Sequence, residues 1–169
     1  ALNVGNGLET GITMGPLLAD RRLEVMDGFV QDAISSGGQL VAGGSRMQSP
    51  GNFFEPTLIQ HVPDNAKIMN EEPFGPIVPT TSFASIDEVI DRANSLPFGL
   101  AAYAFTSNPK TSRILKSEIE SGMLAINSMH VHSVETPFGG LKHSGYGYEG
   151  SIEGLEAFLV TKYSSEIYA

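Results

Sequence analysis

The chain has 169 residues, 41% of them hydrophobic, which is enough to bury one sizeable core and predicts one globular domain. Its formal charge of -9 opposes a nucleic-acid backbone or an anionic membrane surface. With no cysteine, these residues hold no disulfide, no thiolate nucleophile and no zinc-thiolate site.

The start, Ala1-Leu2-Asn3-Val4-Gly5, carries no initiator Met, no basic region and no apolar signal segment, and so reads as a cut inside a longer protein. From Leu17 to Ser36, apolar Leu18, Leu23, Met26, Val30, Ala33 and Ile34 recur at three- and four-residue spacing, predicting an amphipathic helix ended by Gly37-Gly38. Short strands are expected at 39–42 and 57–62, separated by the turn chemistry of Gly43-Gly44 and Ser49-Pro50-Gly51-Asn52, with 77–83 extended as well. Ser85 with Glu88 forms a capping-box pattern ahead of the apolar face Ile86, Val89, Ile90 and Ala93, so a second helix should run from here and stop before Pro97.

The run 100–106 predicts a buried strand. Apolar runs of this size, such as 99–105, fall far short of the roughly 20 residues a membrane span needs. Asn108-Pro109 supplies a cap and a first-turn proline for a helix to about Glu120, closed by Gly122. A strand at 123–127, a Gly- and Ser-rich loop to Gly150, a helix at 151–158 and a terminal strand at 159–163 complete the chain. Strands alternating with helices predict an α/β fold with a mostly parallel sheet and helices on both faces.

Asn70-Glu71-Glu72-Pro73-Phe74-Gly75-Pro76 places two carboxylates before a rigid Pro-x-Gly-Pro frame. A carboxylate held this way can accept hydrogen bonds from a ribose diol, and the ring two residues on can pack on a flat heterocycle. On spacing alone, a solvated acidic turn with Phe74 plugging the core is the simpler reading. The glycine-dense run Glu135 to Gly145 has the composition of a site-lining loop, or of a long structural loop held down by Phe138. Gly145-Tyr146-Gly147-Tyr148-Glu149-Gly150 matches G-x-G-x-x-G, but a loop precedes it and the chain ends before the acidic partner that a dinucleotide fold requires, which favours a structural turn. His130 and His132 could share one face of a strand as metal ligands, yet no third ligand with suitable spacing follows, so no metal is expected. A hydrolase built on Glu71, Glu72 and the histidines ranks last, since no G-x-S-x-G is present.

Glu71-Glu72-Pro73-Phe74-Gly75-Pro76, Ile126-Asn127, Pro137-Phe138-Gly139-Gly140-x-Lys142-x-Ser144-Gly145, and Val4-Gly5-Asn6 with Gly15-Pro16 stand in the order and spacing of the aldehyde dehydrogenase superfamily, which the chain resembles over nearly its whole length. The resemblance implies a thiolate that attacks an aldehyde, a hydride passed to NAD or NADP, and a thioester hydrolysed by water that a glutamate activates. It places the nucleophilic cysteine, the glutamate base and the dinucleotide fold upstream of these residues, so the chain alone is expected to be inactive. By the same resemblance Glu72 binds the nicotinamide ribose, Phe74 contacts the nicotinamide side, and Phe138 lines the aldehyde pocket. His132 and Ser133 lie in the loop that sets substrate choice, and Glu149 is a carboxylate that exchanges protons with solvent. Tyr148 stands where the family commonly has arginine.

The run Ser133-Val134-Glu135-x-Pro137-Phe138-Gly139-Gly140 is most similar to the succinate-semialdehyde dehydrogenase branch, whose substrate carries a distal carboxylate that His132 and Ser133 could donate to. The implied organisation is a partial catalytic domain over 1–158 and an oligomerisation strand with tail over 159–169, in a cytoplasmic homo-oligomer, a dimer or tetramer, acting on a small aldehyde. The alternative from another class is a non-catalytic scaffold that binds subunits of a full-length enzyme.

Overall fold

A computed structural model describes residues 2–168 and divides the chain into two compact units after Ser82. The sequence predicts one domain; each unit is described by itself.

In the first unit, α1 (Asp20–Ser35) buries Leu23, Met26, Phe29, Val30 and Ala33, a stripe at helical spacing. It begins three residues later than the periodicity suggests, and the chain before it is tied across to the loop by the Leu17 N–H, which donates to the Asn52 carbonyl at 2.8 Å. Leu18 is therefore left 92% exposed. The helix ends in a Schellman arrangement: Gly38 N–H donates to Ala33 O at 2.8 Å and Gly37 N–H to Ile34 O at 3.0 Å, with Gly37 at φ 110°. A three-stranded sheet follows, in the order β1 (Gln39–Ala42), β2 (Thr57–Gln60), β3 (Ile77–Pro79). The stripe of α1 packs with Phe54, Ile59, Val62, Ala66, Ile68 and Ile77 into one apolar core, to which β2 contributes its inward side chains. Thr57, buried in this unit, is satisfied: its hydroxyl donates to Glu55 O and accepts from Gly44 N–H. A 3-10 turn at Lys67–Met69, which has no sequence period to betray it, is pinned to α1 by Asp32, whose carboxylate accepts from the Lys67 N–H at 2.7 Å.

The second unit holds α2 (Ile86–Asn94), β4 (Phe98–Gly99), β5 (Ala101–Ala104), α3 (Pro109–Glu118), β6 (Met123–Ile126), β7 (Leu141–Lys142) and α4 (Ser151–Glu156). The Ser85 cap forms as expected, and the Glu88 carboxylate reaches back to the residue before the cap. Glu88 N–H donates to Ser85 Oγ at 3.1 Å, and the Glu88 carboxylate accepts from the Ala84 N–H at 2.7 Å. Asn108 caps α3 through Lys110 N–H at 2.9 Å, with Pro109 in the first turn.

Two expectations are not met by the pairings among the described residues. In place of one mostly parallel sheet, β1, β2 and β3 form one sheet, β4 and β7 a second, and β5 and β6 a third; β2/β3 and β5/β6 are parallel, whereas β1/β2 and β4/β7 are antiparallel. The alternation rule demands a helical crossover, and between β1 and β2 there is only loop. Residues 159–163, expected as a strand, form no ladder among the described residues, and α4 stops at Glu156. A strand exists only by pairing, and no segment among the described residues supplies an edge to it.

Met26 is fully buried at 0% exposure, so Met26→Ala is expected to cost about 2–5 kcal/mol in urea denaturation. Leu18→Ala should leave the midpoint almost unchanged; equal losses for the two would contradict the packing described.

Candidate functional site

The Glu71–Pro76 segment leaves the 3-10 turn with its backbone held at both ends. Asn70 and Glu71 donate their N–H groups to Lys67 O at 2.9 and 2.8 Å, and the Asn70 side chain donates to Asp64 O and Ala66 O. Further on, Thr57 N–H donates to Pro76 O at 2.7 Å and Ile77 N–H to Gly75 O at 2.9 Å. At the centre the Arg22 guanidinium on α1 donates to Pro73 O. Gly75 sits against Met26 so closely that a Cβ would collide with the thioether. Phe74, between these anchors, has φ 43° and is 72% exposed. It therefore does not plug the core, as the simpler sequence reading has it: its neighbours fix the main chain and turn the ring outward. Glu72 is exposed and, among the described residues, has no hydrogen bond or ion pair. An unengaged carboxylate two residues from an outward ring is a donor-seeking edge beside a flat apolar face.

In the second unit, β6 is followed by Asn127, at φ 55°. Its side chain closes a reciprocal pair with Thr106, accepting from Thr106 N–H and donating to Thr106 O, both at 2.8 Å, while its own N–H donates to Ala104 O at 2.7 Å. This locks the ends of β5 and β6 and launches the loop that carries His132, Ser133 and Phe138. Within the loop, Ser133 N–H donates to Thr136 Oγ1 at 2.7 Å, and the Ser133 hydroxyl donates to the Glu135 carboxylate at 2.8 Å. Phe138 and Glu149 exchange two backbone hydrogen bonds, each 2.8 Å, which fixes where the loop returns. The His132 and Phe138 rings meet edge to face, centroids 6.0 Å apart at 86°.

The loop thus brings His132, Ser133 and Phe138 together and joins Glu149 to them by its main chain. The Ser133 hydroxyl hydrogen is already committed to Glu135, a residue the sequence reading passed over although Ser-x-Glu spacing permits the contact. That hydrogen bond, with the Glu135 backbone N–H, holds the Glu135 carboxyl below the ordinary glutamate range. The Ser151 hydroxyl does the same for Glu153.

The glycine run behaves as turn chemistry. Gly145, Gly147 and Gly150 have φ of 127°, 81° and 67°, and Gly122 and Gly139 pack backbone to backbone, with no room for a Cβ on Gly122. Residues 138–140 and 144–149, with Leu100, border an open concavity of about 210 Å³. Lys142 ties this run down, donating from Nζ to Asn94 O and Leu96 O at 2.9 and 3.1 Å and pairing with Glu120 at 2.5 Å. Among the described residues, no group of three or more His, Cys, Asp or Glu side chains could hold a metal ion. No helix among them is long and apolar enough to cross a membrane.

The chain belongs to the aldehyde dehydrogenase family, whose model matches residues 1–164. It is 42% identical over 163 residues to the mitochondrial succinate-semialdehyde dehydrogenase of Rattus norvegicus, covering 96% of this chain and 31% of that protein. The crystal structure of succinate-semialdehyde dehydrogenase from Burkholderia pseudomallei superposes with a TM-score of 0.91 at 37% identity, covering 94% of this chain and 33% of that one. An NADP-dependent enzyme of E. coli gives a TM-score of 0.88 at 38% identity, covering 92% and 32%. The chain spans about a third of the length of the relatives it matches.

The Glu135 carboxyl should titrate below a free glutamate in a carbon-detected NMR pH series, and Ser133→Ala should move its midpoint back up. Because the folded value lies below the unfolded one, the turn gains stability from Glu135 above the unfolded value and loses it as pH falls through the folded one. A midpoint at or above that of free glutamate would contradict the hydrogen bond.

Proposed function

We propose that this chain forms part of an NAD- or NADP-linked aldehyde dehydrogenase that oxidises a small aldehyde, succinate semialdehyde in the first instance, to the acid. The observation that carries the reading is the clamped Glu71–Pro76 segment, with an unengaged Glu72 carboxylate and an outward Phe74 ring. A nicotinamide riboside presents a diol that donates hydrogen bonds and a flat ring that stacks, and these two side chains fit both. The cofactor supplies the hydride acceptor. Glu72 orients it through the ribose hydroxyls, and Phe74 shields one face from water.

Phe138 forms an aromatic wall of the aldehyde pocket, and His132, held edge-on against it, turns toward the substrate's far end. With the Ser133 proton engaged by Glu135, the His132 imidazole is the donor of this pair left for a distal carboxylate. Glu149, on the backbone pair with Phe138, serves as a proton carrier to solvent. The thiolate nucleophile, the water-activating glutamate and the discriminator between NAD and NADP belong to parts of the enzyme beyond these cysteine-free residues. The exposed Leu159, Val160, Tyr163, Ile167 and Tyr168 support the tail's pairing with a neighbouring subunit in a homo-oligomer, which gives the unladdered segment its missing edge.

In the full-length enzyme, Glu72→Gln is expected to raise KM for the dinucleotide about tenfold, the scale of one charge-assisted hydrogen bond, and to leave KM for the aldehyde unchanged. Steady-state kinetics with succinate semialdehyde and each dinucleotide check this. An effect confined to the aldehyde, or activity that persists with no dinucleotide, would overturn the assignment.

A further inference from the structure

Glu72 and Phe74 sit on a main chain that is not at rest. A bulky side chain at φ 43° is uncommon and is retained only where the surroundings over-determine it. Four contacts surround Phe74. The Thr57 N–H on Pro76 O and the Ile77 N–H on Gly75 O are main-chain bonds of the sheet and its approach, and Met26 beneath Gly75 is core. The fourth is different in kind: the Arg22 guanidinium reaches from α1 to the carbonyl of Pro73, the peptide that joins Glu72's neighbour to Phe74.

Arg22 is a poor choice if the helix needs only stability. Its Nε is buried without a hydrogen-bond partner among the described residues. An unsatisfied buried donor carries a free-energy penalty that an apolar side chain of the same length avoids. What an apolar side chain cannot do is hold the Pro73 carbonyl. With that carbonyl free, the Pro73–Phe74 peptide can rotate and the Phe74 backbone can relax toward negative φ, which swings the ring and shifts Glu72 on the far side of the proline.

We infer that Arg22 is a positioning residue for dinucleotide binding: by donating to Pro73 O it keeps Phe74 in the left-handed region and so aims Glu72 and Phe74 at the nicotinamide riboside. The inference rests on the proposed reading of those two residues as the cofactor edge. Arg22 itself touches no ligand in this arrangement, and its effect is on cofactor affinity rather than on the aldehyde.

The test uses the full-length enzyme with Arg22→Met, Arg22→Lys, Glu72→Gln and the Arg22→Met/Glu72→Gln double variant. The readouts are the dissociation constants of NAD and NADP by calorimetry, KM for dinucleotide and for aldehyde, and the cofactor-free melting temperature. Arg22→Met is expected to weaken dinucleotide binding about tenfold with aldehyde KM and cofactor-free melting unchanged, and Arg22→Lys, which keeps one donor, to restore most of it. In the Glu72→Gln background the further loss should be smaller than in the wild type, since the Glu72 contact is already gone and only the aim of the Phe74 ring remains to be lost. Unchanged dinucleotide affinity in Arg22→Met, alongside a loss in Glu72→Gln, overturns the positioning role and leaves the cofactor edge standing. Unchanged affinity in Glu72→Gln removes the cofactor edge and this inference with it. Should Arg22→Met not yield folded enzyme, Arg22→Gln, too short for the Pro73 carbonyl, takes its place, and unchanged dinucleotide affinity there overturns the inference equally.

Discussion

The buried face of α1 is the constraint on which the first unit depends. One helix supplies Met26, Phe29, Val30 and Ala33 to the core, and from the same cylinder Asp32 reaches the Lys67 N–H and Arg22 the Pro73 carbonyl. Ten residues of α-helix span about 15 Å, so these two polar contacts hold the segment from the 3-10 turn to the Pro73 peptide at separate points. Packing sets where the helix lies, and the helix then sets where Glu72 and Phe74 point. A shift of α1 that a core could tolerate would still be felt by those two side chains.

The second unit solves the analogous problem with side-chain and main-chain hydrogen bonds in place of a packed helix face. Asn127 and Thr106 fasten the loop where it leaves the sheet, and Phe138 and Glu149 fasten it where it returns. Between these anchors, the Ser133–Glu135 hydrogen bond decides which donors remain for a substrate. A pocket wall built on fixed anchors, with a short polar turn between them, can change its specificity by side-chain exchange in the turn without disturbing either anchor.

Local signals made much of this legible in the sequence. The stripe of α1, the Gly37-Gly38 stop, the Ser85 cap and the Asn108-Pro109 start are each encoded within a few residues of where they act, and each forms. Motif order likewise led to the family. What the sequence hid depends on partners distant along the chain. The antiparallel β1/β2 pairing follows from a loop where a crossover would be needed, and the two-residue β4 and β7 have no period to detect. The outward Phe74 is set by Arg22, 51 positions away from Pro73, so spacing near Phe74 made it look like a core plug. A helical arginine carries no local mark of that task. The stretch 159–163 reads as a strand by composition, yet a strand needs an edge to pair with, and pattern alone cannot supply one.

The central claim is that Glu72 and Phe74 form the nicotinamide-riboside edge. A crystal structure of the full-length enzyme with its dinucleotide tests it most directly. A Glu72 carboxylate oxygen is expected about 2.6–3.0 Å from a ribose hydroxyl, with the Phe74 ring in contact with the nicotinamide end. A dinucleotide whose ribose is held by other groups, with Glu72 still in solvent, would contradict it.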